Sequence, residues 1–120
     1  MKKITQLLLF TLLVINIINA KASASNLGAY SFNMYYVEWD GNSKAAAPEF
    51  MKLGSKKTIA GKEVIFSRID GNQYPQKIKE FGIRGYPTVL LLDPSGKLVA
   101  RYEGERKAEA MMAFLNQILQ

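Results

Sequence analysis

The chain opens with an apolar run over residues 7–18 that follows Lys2 and Lys3 and leads into small residues around Ala22. A basic start, an apolar centre and a small-residue end are the layout of a secretory signal peptide. The run is shorter than the roughly 20 residues of a membrane-spanning helix, so a cleaved leader is favoured over an uncleaved membrane anchor. We therefore predict a periplasmic, extracellular or secretory-lumen protein, organised as a signal peptide over residues 1–22, a short linker over 23–29 and one domain over 30–120.

The first half of the predicted domain has a strand pattern followed by a helix pattern. Residues 29–39 are rich in aromatic and β-branched side chains, which is typical of a strand. The apolar residues Ala46, Phe50 and Leu53 then recur at helical spacing and predict a helix with one buried face. Pro48 lies inside that helix, where it removes one backbone hydrogen bond and is expected to kink the helix.

The second half predicts three more strands and two more helices. The strands are residues 63–69, 88–92 and 97–102, and the helices are residues 75–82 and 107–119. The run at 88–92 is apolar throughout, which is typical of a strand covered on both faces. The last helix has an inner face made of Met111, Phe114, Leu115 and Ile118. This order predicts an α/β fold, a mixed four-stranded sheet flanked by helices on both faces.

The composition removes much of the usual enzyme chemistry. The chain contains no cysteine and no histidine, which excludes disulfides, thiolate nucleophiles, Cys/His metal sites and Ser-His-Asp relays. Its acidic residues show no calcium-loop pattern. The formal charge of +6 falls to +3 when the three lysines of the leader, Lys2, Lys3 and Lys21, are discounted. We therefore expect no metal, no cofactor and no nucleic-acid partner.

Three segments resemble the thioredoxin superfamily, most closely a catalytic domain of the protein disulfide isomerase type. Residues 39–50 are similar to the family's Trp-Cys-Gly-x-Cys-Lys turn with its kinked-helix proline. Residues 81–88 resemble the loop that carries the family's cis-proline, and residues 102–104 resemble its closing segment. The resemblance covers residues 30–119 and implies a thioredoxin fold with a minimal N-terminus and a cis Tyr86–Pro87 bond.

The chain departs from the family at the positions that carry its chemistry. Thiol–disulfide exchange needs a low-pKa thiolate at the helix start and a second thiol three residues on. Asp40 and Ser43 occupy those positions, and Met34 stands where the resemblance implies a buried acid. We therefore expect no thiol–disulfide enzyme activity and no catalytic residue. The degenerate active-site motif consists of Trp39, Asp40, Gly41, Asn42 and Ser43.

Asp40 has two interpretations. Its carboxylate can accept a hydrogen bond from the backbone N–H of Asn42 or Ser43, a helix cap that contributes about 1 kcal/mol. It can also hold a permanent negative charge where a thiolate would lie, stabilised by the positive end of the helix dipole. The sequence leaves both roles open.

The segments that resemble the peptide groove of the family are retained in this sequence. The resemblance implies that an extended polypeptide lies beside the active-site turn and pairs with the backbone of the residue before the cis-proline, Tyr86. Trp39 would form one wall and Asn42 one lip. In the alternative interpretation Trp39 is a structural aromatic residue and Tyr86 a surface tyrosine. The predicted groove residues are Trp39, Asn42, Gly85, Tyr86 and Pro87.

The leading hypothesis is a secreted thioredoxin-like domain that binds extended or unfolded polypeptide without covalent chemistry, as a chaperone-like or adaptor module. A first alternative is an oxidoreductase-related protein that acts in redox homeostasis only through the thiols of a partner. A second is a structural subunit that docks through an exposed sheet edge at residues 63–69. Contact with a membrane is expected only if the leader is uncleaved.

Overall fold

The computed structural model describes residues 28–120, so the predicted signal peptide and most of the predicted linker lie outside the described residues. Within this range the chain forms five strands and three helices. The strands are β1 (Ala29–Tyr36), β2 (Lys56–Ile59), β3 (Lys62–Asp70), β4 (Thr88–Leu92) and β5 (Leu98–Tyr102). The helices are α1 (Gly41–Met51), α2 (Pro75–Glu80) and α3 (Ala108–Ile118).

The strands form one mixed sheet in the order β2-β3-β1-β4-β5. β1 and β3 run parallel, while β1 and β4, β2 and β3, and β4 and β5 are antiparallel. β4 is buried along its whole length, as the apolar run at 88–92 predicts. The predicted α/β class and thioredoxin fold are confirmed.

The sheet separates two apolar cores. On one face Phe32 and Met34 of β1 pack with residues of α1 and α3, including Phe50 and Leu115. On the other face the buried Tyr35 and Leu90 pack with residues of α2 and the loop that follows it. Because successive side chains of a strand point to opposite faces, β1 serves both cores. The helices therefore flank both faces of the sheet, as predicted.

The predicted buried face of α1 is confirmed, since Ala46, Phe50 and Leu53 are all buried. Pro48 lies inside the helix, where it has no N–H to donate. The face predicted for α3 is wrong at one position. Ile118 is 36% exposed and Leu119, just beyond the helix, is buried in its place.

The physical reason for the change at the end of α3 lies in a contact with β3. Lys62 donates a hydrogen bond from Nζ to the carbonyl oxygen of Leu119 at 2.7 Å. A cation at the C-terminal end of a helix is favourable because the last carbonyls carry partial negative charge. This contact holds the last turn against β3, where Leu119 joins the core.

The sequence prediction of four strands is wrong, because β2 adds a fifth. β2 pairs with β3 through a tight turn at Ala60 and Gly61, both with positive φ. Its Lys56 and Lys57 are exposed, and such charges are typical of an edge strand. The predicted exposed edge at 63–69 is also wrong, since β3 lies between β2 and β1. No helix within residues 28–120 has the length and apolar character needed to cross a membrane.

Candidate functional site

The start of α1 is closed by the side chain of Asp40. Asp40 adopts an extended backbone conformation, with φ −88° and ψ 125°, and its Oδ2 accepts a hydrogen bond from the Ser43 N–H at 2.7 Å. This pairs one of the four N–H groups that a helix start leaves without a partner. Asp40 is therefore the N-cap of α1, one of the two roles that the sequence left open.

Ser43 stands below this turn and is almost fully buried, with 2% of its surface exposed. Its Oγ accepts a hydrogen bond from the Val37 N–H at 3.4 Å. The hydroxyl thus fixes the end of β1 against the first turn of α1. The two positions that carry thiols in the redox members of the family here hold a capping carboxylate and a buried structural hydroxyl.

Met34 is an apolar core residue with 1% of its surface exposed. It packs in the core shared by α1 and α3. In the register of the sheet it lies opposite Arg68 of β3 and Val89 of β4. Methionine has no proton to exchange, so this position offers no acid–base chemistry beneath the helix start.

The loop before β4 has the conformation that the resemblance implies, because the Tyr86–Pro87 peptide bond is cis. Thr88 anchors the loop by donating from Oγ1 to the carbonyl oxygen of Gly85 at 2.7 Å. Within residues 28–120 the backbone N–H and carbonyl of Tyr86 make no backbone hydrogen bond. Backbone groups without an internal partner can pair with a further strand.

The side chain of Tyr86 packs inward and is half-buried against the core that α2 covers. Its ring lies on Gly71, where an added Cβ would come within 2.7 Å of the tyrosine hydroxyl oxygen. The Gly71 N–H in turn donates to the carbonyl of Tyr36 at 2.7 Å. Tyr86 is therefore not a free surface tyrosine, because its ring packs on Gly71 and on the core that α2 covers.

Trp39 projects from the turn before α1 with 72% of its surface exposed. It borders an open crevice of about 700 Å³ between α1 and the ends of β1 and β3. We call this the Arg68 crevice. Its aromatic and charged lining consists of Tyr36, Glu38, Trp39, Lys44, Arg68 and Asp70.

The other predicted groove residues line two separate depressions. Asn42 borders one of about 600 Å³ between α1 and the loop that joins β5 to α3. Pro87 borders one of about 260 Å³ on the other side of the same loop. Trp39, Asn42 and Pro87 thus surround the helix start without sharing one cavity, and Gly85 and Tyr86 line none of the three.

The loop between β5 and α3 is a wall that the sequence reasoning missed. Gly104 and Arg106 border both the Asn42 and the Pro87 depressions. An added Cβ on Gly104 would lie 2.6 Å from the hydroxyl oxygen of Tyr102, so only glycine fits without movement. The resemblance includes residues 102–104, but nothing in the sequence assigns these residues to the groove.

The described residues contain no group of three acidic side chains placed to hold a metal ion. What the arrangement offers chemically is backbone pairing at Tyr86, aromatic surface at Trp39 and charged groups on either side.

Comparisons with known proteins agree with this geometry. The sequence model of the family described as Thioredoxin matches residues 31–117. A protein disulfide-isomerase from Datisca glomerata is 34% identical over 85 residues, which are 69% of this chain and 17% of that protein. Protein disulfide isomerase-like 2-2 from Oryza sativa subsp. japonica is 37% identical over 83 residues, 68% of this chain and 22% of the relative. The chain thus spans about a fifth of the length of these curated relatives.

Solved structures of thioredoxin domains superpose on this chain. The first thioredoxin domain of mouse protein disulfide-isomerase A4 superposes with a TM-score of 0.65 at 26% identity, covering 85% of this chain and 71% of that domain. The Trx4 domain of ERdj5 superposes with a TM-score of 0.63 at 27% identity, covering 78% and 82%. The family match over most of the described residues, together with the fold, means that this chain belongs to the thioredoxin family and has protein disulfide isomerases among its relatives.

Proposed function

We propose that this protein binds extended polypeptide noncovalently and performs no thiol–disulfide exchange. The observation that carries the proposal is that the Tyr86 backbone, which precedes a cis bond, makes no backbone hydrogen bond within residues 28–120, in a chain that has no thiol at the start of α1. Exchange proceeds by attack of a thiolate on a disulfide sulfur, and a chain without cysteine has no such nucleophile. The binding half of the family's activity needs none of the missing groups.

The physical basis of the proposed binding is strand addition. An extended peptide beside Tyr86 would donate to its carbonyl and accept from its N–H, and the exposed Trp39 would offer aromatic surface to a bound chain. Two backbone hydrogen bonds and one aromatic contact, set against the cost of ordering a flexible chain, favour weak and reversible affinity. Weak binding with little dependence on sequence suits a chaperone-like or adaptor module.

The proposal includes a secretory route. Its support is the basic, apolar and small-residue order of residues 1–22. The expected partners are therefore extended or unfolded segments of proteins on the same route.

A titration with backbone-modified peptides tests the binding. A labelled, cysteine-free, unstructured peptide of about twelve residues is titrated with the purified protein by fluorescence anisotropy. Its control has the same sequence with N-methyl groups along the central segment, which remove the amide donors and leave the side chains in place. We expect saturable binding of the first peptide and loss of most of that binding with the second. Equal affinity for the two peptides would contradict backbone pairing.

An insulin-reduction assay with dithiothreitol tests the second half of the proposal. We expect the rate to equal that of dithiothreitol alone at every protein concentration. A rate that rises with the amount of purified protein would overturn the proposed absence of thiol chemistry.

A further inference from the structure

The Arg68 crevice lies at a switch point of the sheet. β1 and β3 are parallel neighbours, yet β1 leads into α1 on one face and β3 leads into α2 on the other. In open α/β sheets, ligands bind in the crevice outside the carboxyl ends of two such strands. Tyr36 ends β1 and Asp70 ends β3, and both border the crevice.

Arg68 is positioned in this crevice by stacking. Its guanidinium carbon lies 5.4 Å from the centre of the Tyr36 ring. Stacking covers one face of the guanidinium and leaves its N–H edge free to bind a planar acceptor. Lys44, on the first turn of α1, brings a second cation to the same crevice. Neither Arg68 nor Lys44 forms a salt bridge with any residue in the range 28–120.

Two carboxylates face the cations. Asp70 uses Oδ1 to accept a hydrogen bond from the Asn72 N–H at 2.9 Å, which holds it to its own loop. Glu38 lies exposed on the turn before α1. One oxygen of Asp70 is therefore engaged with its own loop, and the charges of Asp70 and Glu38 both oppose an incoming anion.

The loop that follows β3 links the Arg68 crevice to Tyr86. Asp70 and Asn72 border the crevice, and Gly71 between them is in contact with the Tyr86 ring. A chain that paired with the Tyr86 backbone and extended along this loop would bring a side chain toward Arg68. The crevice has a volume of about 700 Å³, which is enough for a side chain.

We propose that Arg68 and Lys44 bind a carboxylate side chain of the polypeptide whose backbone pairs with Tyr86, so that the protein selects acidic extended segments. This inference rests on the proposed function and adds to it a preference for acidic polypeptide segments. A guanidinium binds a carboxylate through two parallel hydrogen bonds, which gives geometric selectivity as well as attraction.

The test compares peptides that differ at one position. The probes are cysteine-free, tryptophan-free peptides of one sequence with Glu or its uncharged isostere Gln at the guest position, titrated into the full chain. Trp39 is the only tryptophan and borders the crevice, so its fluorescence reports binding there. We expect the Glu peptide to bind about fivefold tighter at low salt, with the advantage shrinking as salt is added.

Variants of the protein locate the effect. Arg68→Gln and Lys44→Gln should each reduce the Glu-to-Gln preference, Arg68→Lys should keep part of it, and Glu38→Gln should increase it. The matched control is Lys57→Gln on β2, an exposed lysine remote from the crevice lining, which should leave the preference unchanged.

Each outcome decides one part of the account. Equal affinity of the wild-type protein for the two peptides overturns this inference alone, as does an Arg68→Gln variant that weakens both peptides by the same factor. A complete absence of binding by either peptide overturns the proposed function as well.

Discussion

Glu49 of α1 accepts a hydrogen bond on Oε1 from the backbone N–H of Ala108, the first residue of α3, at 3.0 Å. The residue before that helix, Lys107, provides no side-chain cap, so the cap of α3 comes from another helix. Glu49 also forms an ion pair with Lys52. This contact ties the helix that carries the degenerate motif to the loop that borders the Asn42 depression, because Glu49 and Lys107 line that same depression.

Low pH should weaken the hydrogen bond between Glu49 and the Ala108 N–H. The hydrogen bonds from Lys52 and Ala108 hold the pKa of Glu49 below its ordinary value of 4.5. A carboxylate whose pKa is lowered by folding stabilises the protein above its unfolded value, and that stability is lost as the pH falls through the folded value. We expect the denaturant concentration at the midpoint of unfolding to decrease as the pH is lowered below about 4.5. Denaturant titrations of the wild-type protein at a series of pH values measure this.

The control for the acid effect is Glu49→Gln, which keeps an acceptor and removes the charge. Hydrogen bonds from Ser95 and Lys97 lower the pKa of Asp93 as well, so some acid sensitivity should persist in this variant. A Glu49→Gln protein with the same pH dependence as the wild-type protein would contradict the assigned role of Glu49.

Asp40 should matter for stability through its oxygen and not through its charge. We expect Asp40→Ala to lower the free energy of unfolding by about 1 kcal/mol, because the Ser43 N–H loses its acceptor. Asp40→Asn retains an acceptor and should cost only a few tenths of a kcal/mol. Urea unfolding measures both values. If Asp40→Asn keeps its stability but loses peptide affinity, the charge has a binding role beyond the cap.

The packing of Tyr86 on Gly71 predicts a coupled pair. Gly71→Ala places a methyl group 2.7 Å from the Tyr86 hydroxyl oxygen, so the ring must move. We expect a destabilisation of about 1–3 kcal/mol. In the Tyr86→Leu background the same substitution should cost clearly less, since the clashing ring is gone. A double-mutant cycle by urea unfolding measures the coupling, and strictly additive effects would show that the two residues do not interact.

Restoring both thiols should restore part of the lost chemistry. Positions 40 and 43 lie at the start of α1, where the helix dipole lowers the pKa of a thiol. We expect the double variant Asp40→Cys, Ser43→Cys to form an intramolecular disulfide and to accelerate insulin reduction by dithiothreitol. Each single variant serves as a control and should not sustain turnover. A double variant that stays reduced under oxidising conditions would show that the backbone has departed from the family's geometry.

Much of the fold could be predicted because its strongest signals are local. The apolar run at β4, the spacing of Ala46, Phe50 and Leu53, and the order of elements all follow from patterning. The sequence does not predict β2, because an edge strand that carries Lys56 and Lys57 lacks an apolar period. The helical spacing predicts a buried Ile118, because a local window of sequence does not reveal the contact between Lys62 and the carbonyl of Leu119.

The features of the site that depend on a local motif can be predicted from the sequence. The features that depend on tertiary packing cannot. The Asp40 cap is one of the two roles that the sequence offers, and the cis Tyr86–Pro87 bond is implied by the resemblance. The inward packing of Tyr86 and the wall at Gly104 depend on residues far apart in the chain.

The most direct test of the account is a map of where a polypeptide binds. Backbone amide signals of the isotope-labelled protein are followed by NMR during titration with an unfolded, cysteine-free polypeptide. The account predicts saturable shifts at residues 39–43 and 85–88, with smaller changes around Gly104. Shifts confined to another surface, or none in a folded protein at millimolar polypeptide, would contradict a retained peptide groove and leave Asp40 as a helix cap alone.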